Sequence, residues 1–185
     1  MSKEPSVRAF IALELKEPLR ASLEKLQQRL HANLGGIRLV RPEAIHLTLR
    51  FLGPTRQDQL QALDAPLAAA ARACPALEAR IGGIGTFPER GRPHVLWVGV
   101  ELEPAALELQ RACEQAARDA GFAPEERPFR AHLTLGRWRD HATRPELPET
   151  DLGPTCLDSL VLFRSEQAKD GMVYTSLARF PLASA

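Results

Sequence analysis

Apolar and polar residues alternate from Val7 through Ala9, Ile11 and Leu13, with Arg8 and Glu14 as the polar steps, and this period of two predicts a largely buried first strand. Pro18 then opens a helix. Leu19, Leu23, Leu26, Leu30 and Leu34 recur at steps of four, three, four and four, one apolar stripe that Gly35-Gly36 stops. Ile37 to Val40 reads as a short strand, Arg41-Pro42 interrupts it, and Ile45 to Leu52 alternates strongly until a turn at Gly53-Pro54. Thr55 to Ala73 forms helix, with Pro66 expected to kink or split it. Leu77 to Ile84 and His94 to Val100 are two strands, Pro104 to Ala120 a third helix, and Phe129 to Leu135 another alternating strand. A loop rich in proline and charge runs from Asp140 to Pro154, before a closing pair of strands at Leu157 to Phe163 and Met172 to Phe180. Several strand pairs are joined too closely for helical crossovers, so the fold class is α+β with antiparallel pairing dominant.

Composition narrows the class. The 185 residues are 44% hydrophobic and 25% charged, which suits one globular domain or two small lobes sharing a core. Lys and Arg number 24 against 23 Asp and Glu, a net charge of +1, so there is no broad basic field for gripping long nucleic acid. Contact with a polyanion is expected to be local. Cys74, Cys113 and Cys156 stand far apart and form no C-x-x-C pair, which argues against a disulfide framework or zinc knuckle. With no long apolar run and no signal-peptide pattern, the expectation is a cytoplasmic monomer away from membranes.

The candidate chemistry lies in an internal repeat. Arg41-Pro42-Glu43-Ala44-Ile45-His46-Leu47-Thr48-Leu49 is echoed by Arg127-Pro128-Phe129-Arg130-Ala131-His132-Leu133-Thr134-Leu135. Residues two apart on a strand share a face, so His46, Thr48 and Arg50 are expected to project together, opposite Ile45, Leu47, Leu49 and Phe51. Arg130, His132 and Thr134 do the same in the second copy. If a pseudo-two-fold relates the copies, two imidazoles face each other across one cleft. That arrangement suits displacement at phosphorus: one imidazole accepts a proton from the attacking oxygen while the other donates to the leaving oxygen. The threonine hydroxyls and Arg50 or Arg130 can hold the non-bridging oxygens. No carboxylate shares either His-x-Thr face, so neither metal ligands nor any cofactor is expected. An acid and a base of similar intrinsic pKa predict a bell-shaped pH profile centred near neutrality. His31 and His141 are expected to be solvated, and His94 to be a strand-end residue.

These motifs resemble the paired H-x-T-x signature of the 2H phosphoesterase superfamily, and the chain is similar nearly end to end to its RNA 2′,3′-cyclic phosphodiesterases, also called 2′-5′ RNA ligases. The resemblance includes Arg8-Ala9-Phe10-Ile11-Ala12-Leu13, Arg50-Phe51-Leu52-Gly53 after the first motif, Gly91-Arg92-Pro93-His94-Val95-Leu96-Trp97, Leu162-Phe163-Arg164-Ser165 and Phe180-Pro181-Leu182. It implies a single domain of two pseudo-symmetric lobes, each an antiparallel sheet backed by helices, with motifs at 46–49 and 132–135 flanking a central cleft. The implied reaction is metal-independent hydrolysis of an RNA 2′,3′-cyclic phosphate to a 2′-phosphate, with 2′-5′ ligation as a reverse activity. The partners implied are RNA 3′ termini or small cyclic nucleotides. By the same resemblance His132 is the base for water, His46 the acid to the 3′ oxygen, and Phe10 a surface for the terminal nucleotide. Ala131 departs from the family's usual proline, and Lys169-Asp170-Gly171 from its usual loop. The alternative from another class is a non-catalytic module holding an RNA terminus or nucleotide phosphate, which would not need two imidazoles.

Overall fold

The structure, a computed structural model, describes residues 6–139, 143–169 and 171–184, so His141 and Asp170 lie outside the described residues. In chain order the elements are β1 (Ser6–Leu13), α1 (Glu17–His31), β2 (Ile37–Leu39), a 3-10 turn (Pro42–Ala44), β3 (Leu47–Arg56), α2 (Gln57–Ala73), β4 (Leu77–Phe87), β5 (Val95–Leu102), α3 (Pro104–Asp119), β6 (His132–Trp138), β7 (Asp151–Leu157), β8 (Ser159–Ala168) and β9 (Gly171–Pro181). Neighbouring strands run antiparallel in the order β7-β4-β5-β6-β3-β1-β8-β9, with β2 added beside β6. The fold is α+β as expected, and the two expected sheets are two halves of one sheet. Between β6 and β3 the ladder narrows to a single pair, Leu47 with Leu133.

Each half repeats a unit: a strand, a helix, then the strand carrying His-Leu-Thr-Leu, which folds back antiparallel onto the first. This is β1–α1–β3 in one half and β5–α3–β6 in the other. The helices cross over: α1 packs against β2 and β7 of the second half, and α3 against β3 of the first. The α1 leucine stripe is buried as predicted, and Leu47 and Leu133 are fully enclosed. α2 is one helix despite Pro66, whose ring sits on the exposed face, where the lost backbone bond opens to water.

Two β-bulges shape the centre, and both fall on the second leucine of His-Leu-Thr-Leu. Ala12 pairs with Thr48 and Ile11 with Arg50, leaving Leu49 as the extra residue; Trp97 pairs with Thr134 and Leu96 with Gly136, leaving Leu135 extra. A bulge inverts the alternation beyond it. Arg50 therefore turns toward the helices and Phe51 outward, the reverse of the expected faces. Arg50 is 7% exposed, with Nε 2.5 Å from Glu114 Oε2, and donates to the carbonyl oxygens of Phe51 and Ala123. It cannot hold a phosphate in the cleft. Phe51 is 53% exposed on the opposite face. Both bulged carbonyls accept from a glutamine on the crossed-over helix: Gln27 Nε2 donates to Leu135 O at 2.9 Å and to Val40 O at 2.6 Å, and Gln110 Nε2 to Leu49 O at 3.4 Å.

Other boundaries differ for local reasons. β3 does not stop at Gly53-Pro54; Gly53, at φ +73, forms a further bulge opposite β1. Pro54 is tolerated because β6 reaches no further than Leu47, so the side of β3 lacking an N–H faces no partner. Residues 129–131 precede β6 rather than begin it, and β7 occupies the end of the expected loop.

Replacing Gln27 with Leu removes the side-chain donor from Val40 O and leaves Leu135 O with the Val40 N–H alone, and is expected to cost about 1 kcal/mol in urea unfolding, more than the same change at the longer Gln110 bond. Arg50→Met strands the Glu114 carboxylate and should cost about 3 kcal/mol by the same measurement. Turnover by the protein that remains folded should change little, because Arg50 lies on the helix side.

Candidate active site

The Leu47–Leu133 pair sets the geometry of the cleft. Both leucines face the core, so the residues flanking them face the other way, and continuing the antiparallel register by one step sets His46 beside Thr134 and Thr48 beside His132. The repeat thus brings both imidazoles and both hydroxyls to one patch of the sheet's open face. His46 Nδ1 donates to Ala44 O at 2.9 Å, and His132 Nδ1 to Arg130 O at 2.6 Å. Each bond reaches back two residues and fixes the same tautomer, which leaves Nε2 of both rings for chemistry.

The two rings sit in different surroundings. His46 stacks on Phe10, with centroids 4.5 Å apart, and meets the edge of Tyr174 at 5.0 Å, with Phe163 beyond at 6.0 Å. Burial among these rings pushes its pKa down to about 4, despite the bond to Ala44 that favours the charged form. The positive charges of His132 and Arg137 lower it further. Among the described residues His132 has one aromatic neighbour, Phe87, edge-on at 5.1 Å. Its pKa is also lowered, first by burial and then by Arg137 and Arg130. Both imidazoles are thus neutral in the free protein at pH 7.

The remaining expected residues divide. Phe10 is 3% exposed and lies beneath His46, so its face is closed to a nucleotide; the open aromatic beside it is Phe51, directly opposite on β3. Arg130 lies at the rim, ion-paired to Glu89, with its guanidinium 5.0 Å from the Phe87 ring centre. Its carbonyl orients His132. Trp97, opposite Thr134, lies over Gly85, where any Cβ would run into the indole. His31 is exposed, as expected, and His94 immediately precedes β5, the strand-end position expected of it.

Arg137 was not among the expected residues. The bulge at Leu135 rotates it onto the open face, as the bulge at Leu49 rotates Phe51; both stand five residues after the motif histidine. Its charge lowers the pKa of both histidines and acts on Tyr174, so it sits close to all three. A simple alternation rule places Gly136 there instead, and only the repeat of the bulge reveals the residue.

A cavity of about 220 Å³ adjoins His46, lined by Glu43, Ile45, Phe163, Tyr174, Ser176 and Arg179. At its base Glu14 accepts from Arg179 and lies 3.5 Å from Arg20, which neutralises charge there. Among the described residues no three His, Cys, Asp or Glu side chains cluster in a metal-ligand arrangement, and no helix is long and apolar enough to cross a membrane.

Comparison with known proteins gives the family. The profile of a family described as LigT like Phosphoesterase matches residues 13–97 and 99–174. An RNA 2′,3′-cyclic phosphodiesterase from Methanothermobacter thermautotrophicus is 32% identical over 95% of this chain and 99% of its own length. One of the same name from Thermus thermophilus is 33% identical over 95% and 90%. Among solved structures, one from Thermus thermophilus superposes with a TM-score of 0.86 at 30% identity, over 96% of this chain and 98% of that one. Escherichia coli LigT complexed with 3′-AMP gives 0.83 at 26% identity, over 96% and 99%. With a profile match along most of its length, and relatives this similar over nearly all of theirs, the chain belongs to the LigT-like phosphoesterases of the 2H superfamily.

Proposed function

We propose that the protein hydrolyses the 2′,3′-cyclic phosphate of an RNA end to a 2′-phosphate, its two halves working as one phosphoesterase domain around a shared cleft. The observation that carries this reading is the placement of two imidazoles of the same tautomer, with two hydroxyls, about one strand pair. The names of the relatives supply the substrate. Water attacks phosphorus as His132 Nε2 accepts its proton, the bond from phosphorus to the 3′ oxygen breaks, and His46 Nε2 donates a proton to that oxygen. Thr48, Thr134 and Arg137 hold the non-bridging oxygens, where negative charge grows in the transition state.

The surroundings of the two rings support this division of roles. His132, with a single aromatic neighbour, suits the side from which water arrives. His46, enclosed by rings beside the cavity, suits the dry side, where the ribose carrying the departing oxygen would sit. Its lowered pKa makes the imidazolium a stronger acid once formed. The bound phosphate anion compensates the burial that keeps it neutral in the free protein. The protons and positive charge come from two imidazoles and a guanidinium, so the reading needs no divalent ion.

These pKa directions revise the expectation of a profile centred near neutrality. The active form carries one proton on the pair, and both groups titrate below their usual 6.5 in the free protein, His46 near 4. The profile of kcat/KM, which reports the free enzyme, should therefore peak below pH 6.5 and fall as pH rises through 7, because the acid loses its proton. The profile of kcat should lie at higher pH, because the bound anion raises both values. Coincident profiles peaking above pH 7 would contradict this account.

His46→Ala and His132→Ala should each lower turnover at least about a hundredfold on an RNA ending in a 2′,3′-cyclic phosphate, with chelator present. On a substrate whose leaving oxygen is already a good leaving group, His46→Ala should recover much of its rate and His132→Ala should not. Rescue of His132→Ala alone would exchange the roles. Tight binding of the cyclic end by wild-type protein without turnover would establish the binding-module alternative.

A further inference from the structure

β2 adds itself to β6 in a three-residue ladder, and the register sets Arg38 directly opposite Arg137. Residues directly opposite in an antiparallel pair share a face, with Cα atoms about 5 Å apart, and like charges there repel. The flanking pair, Ile37 with Trp138, is buried, so both arginines project from the open face that carries His132 and Thr134. Among the described residues, no carboxylate lies within ion-pair distance of either guanidinium. Other arginines of the protein are ion-paired, Arg50 with Glu114, Arg80 with Asp151, Arg130 with Glu89, Arg164 with Glu166 and Arg179 with Glu14 among them.

Arg38 also lies beside a hairpin. Its guanidinium lies against the tip of the β8–β9 hairpin at Gly171, where a Cβ would come within 3.2 Å of Nη2. Beside it Arg41 Nη2 donates to Met172 O at 3.2 Å, tying the same hairpin to the segment after β2. Two guanidiniums without carboxylate partners among the described residues, side by side next to a phosphate-transfer site, with the outer one beside a hairpin, form a receptor for more negative charge than one cyclic phosphate carries.

We propose that Arg137 and Arg38 bind two successive phosphates of an RNA end, Arg137 the cyclic phosphate and Arg38 the phosphodiester on its 5′ side. The site thereby distinguishes the end of an RNA chain from a free cyclic nucleotide. This rests on the cyclic-phosphate reading above and adds the class of substrate to it. The second phosphate is a monoanion that a guanidinium holds through charge-assisted hydrogen bonds, and it takes no part in the chemistry.

Three substrates test it: 2′,3′-cyclic AMP, the dinucleotide ApA ending in a 2′,3′-cyclic phosphate, and the same dinucleotide with a neutral methylphosphonate bridge. Wild-type protein should show kcat/KM about tenfold or more higher on the charged dinucleotide than on either of the others. Arg38→Gln should abolish most of that preference through KM, and Arg38→Lys should retain part of it. Removing one member of a repelling pair should not lower the melting temperature in low salt, which separates lost recognition from lost folding. Equal rates of wild type on the charged and neutral dinucleotides would overturn the proposal, as would an Arg38→Gln variant slowed by one common factor on all three. In both cases the hydrolytic reading would stand. Failure of wild type to hydrolyse any of the three would overturn that reading and this proposal together.

Discussion

One strand pairing, Leu47 with Leu133, holds the two halves of the sheet together at the point where the chemistry is placed. Both side chains are fully buried, so the residues on either side of each must face the cleft. A longer ladder between β3 and β6 would have drawn the strands into one flat sheet. The bulges at Leu49 and Leu135 add twist just beyond the pair, and they leave each strand to follow its own half. Gln27 and Gln110 from the crossed-over helices donate to their carbonyls, and Leu135 O accepts from the Val40 N–H as well. Each helix therefore fixes the motif strand of the opposite unit, which makes the geometry of the cleft depend on both halves being folded.

The electrostatics of the cleft follow from the same construction. The open face carries Arg137 and Arg38, without carboxylate partners among the described residues, and two imidazoles among aromatic rings. Burial and nearby positive charge keep both imidazoles neutral, so the empty site has the charge of its guanidiniums alone. An arriving phosphate reverses the balance, favouring a proton on one ring at the moment the reaction needs it. Uptake of that proton is linked to phosphate binding, and the site needs no buried carboxylate to maintain an imidazolium in the resting state.

Much of this was legible in the sequence. The period of the α1 leucines, the repeat around His46 and His132 and the antiparallel α+β class follow from spacing alone. The H-x-T-x resemblance led to the family that the comparisons then established. What alternation could not reveal lies beyond the bulges, because one extra residue exchanges the faces of everything after it. Alternation directs Arg50 to the cleft and Phe51 to the core, and the structure reverses both; the same shift hides Arg137. Phe10 is expected as a surface for the nucleotide, yet it is buried under His46 among Phe163 and Tyr174, which arrive from strands more than a hundred residues away. Gly53-Pro54 carries a turn signal that the edge position of β3 converts into a bulge within a strand.

The central claim is that the two imidazoles form one symmetric pair serving one phosphorus, and nitrogen NMR of the histidine rings during titration with the 2′-phosphate product reads it directly. In the free protein both His46 and His132 should hold a proton on Nδ1 and none on Nε2 at pH 7, and both Nε2 resonances should move as product binds, with their pKa values rising together. A response confined to one ring, with the other unchanged at saturation, would contradict the account.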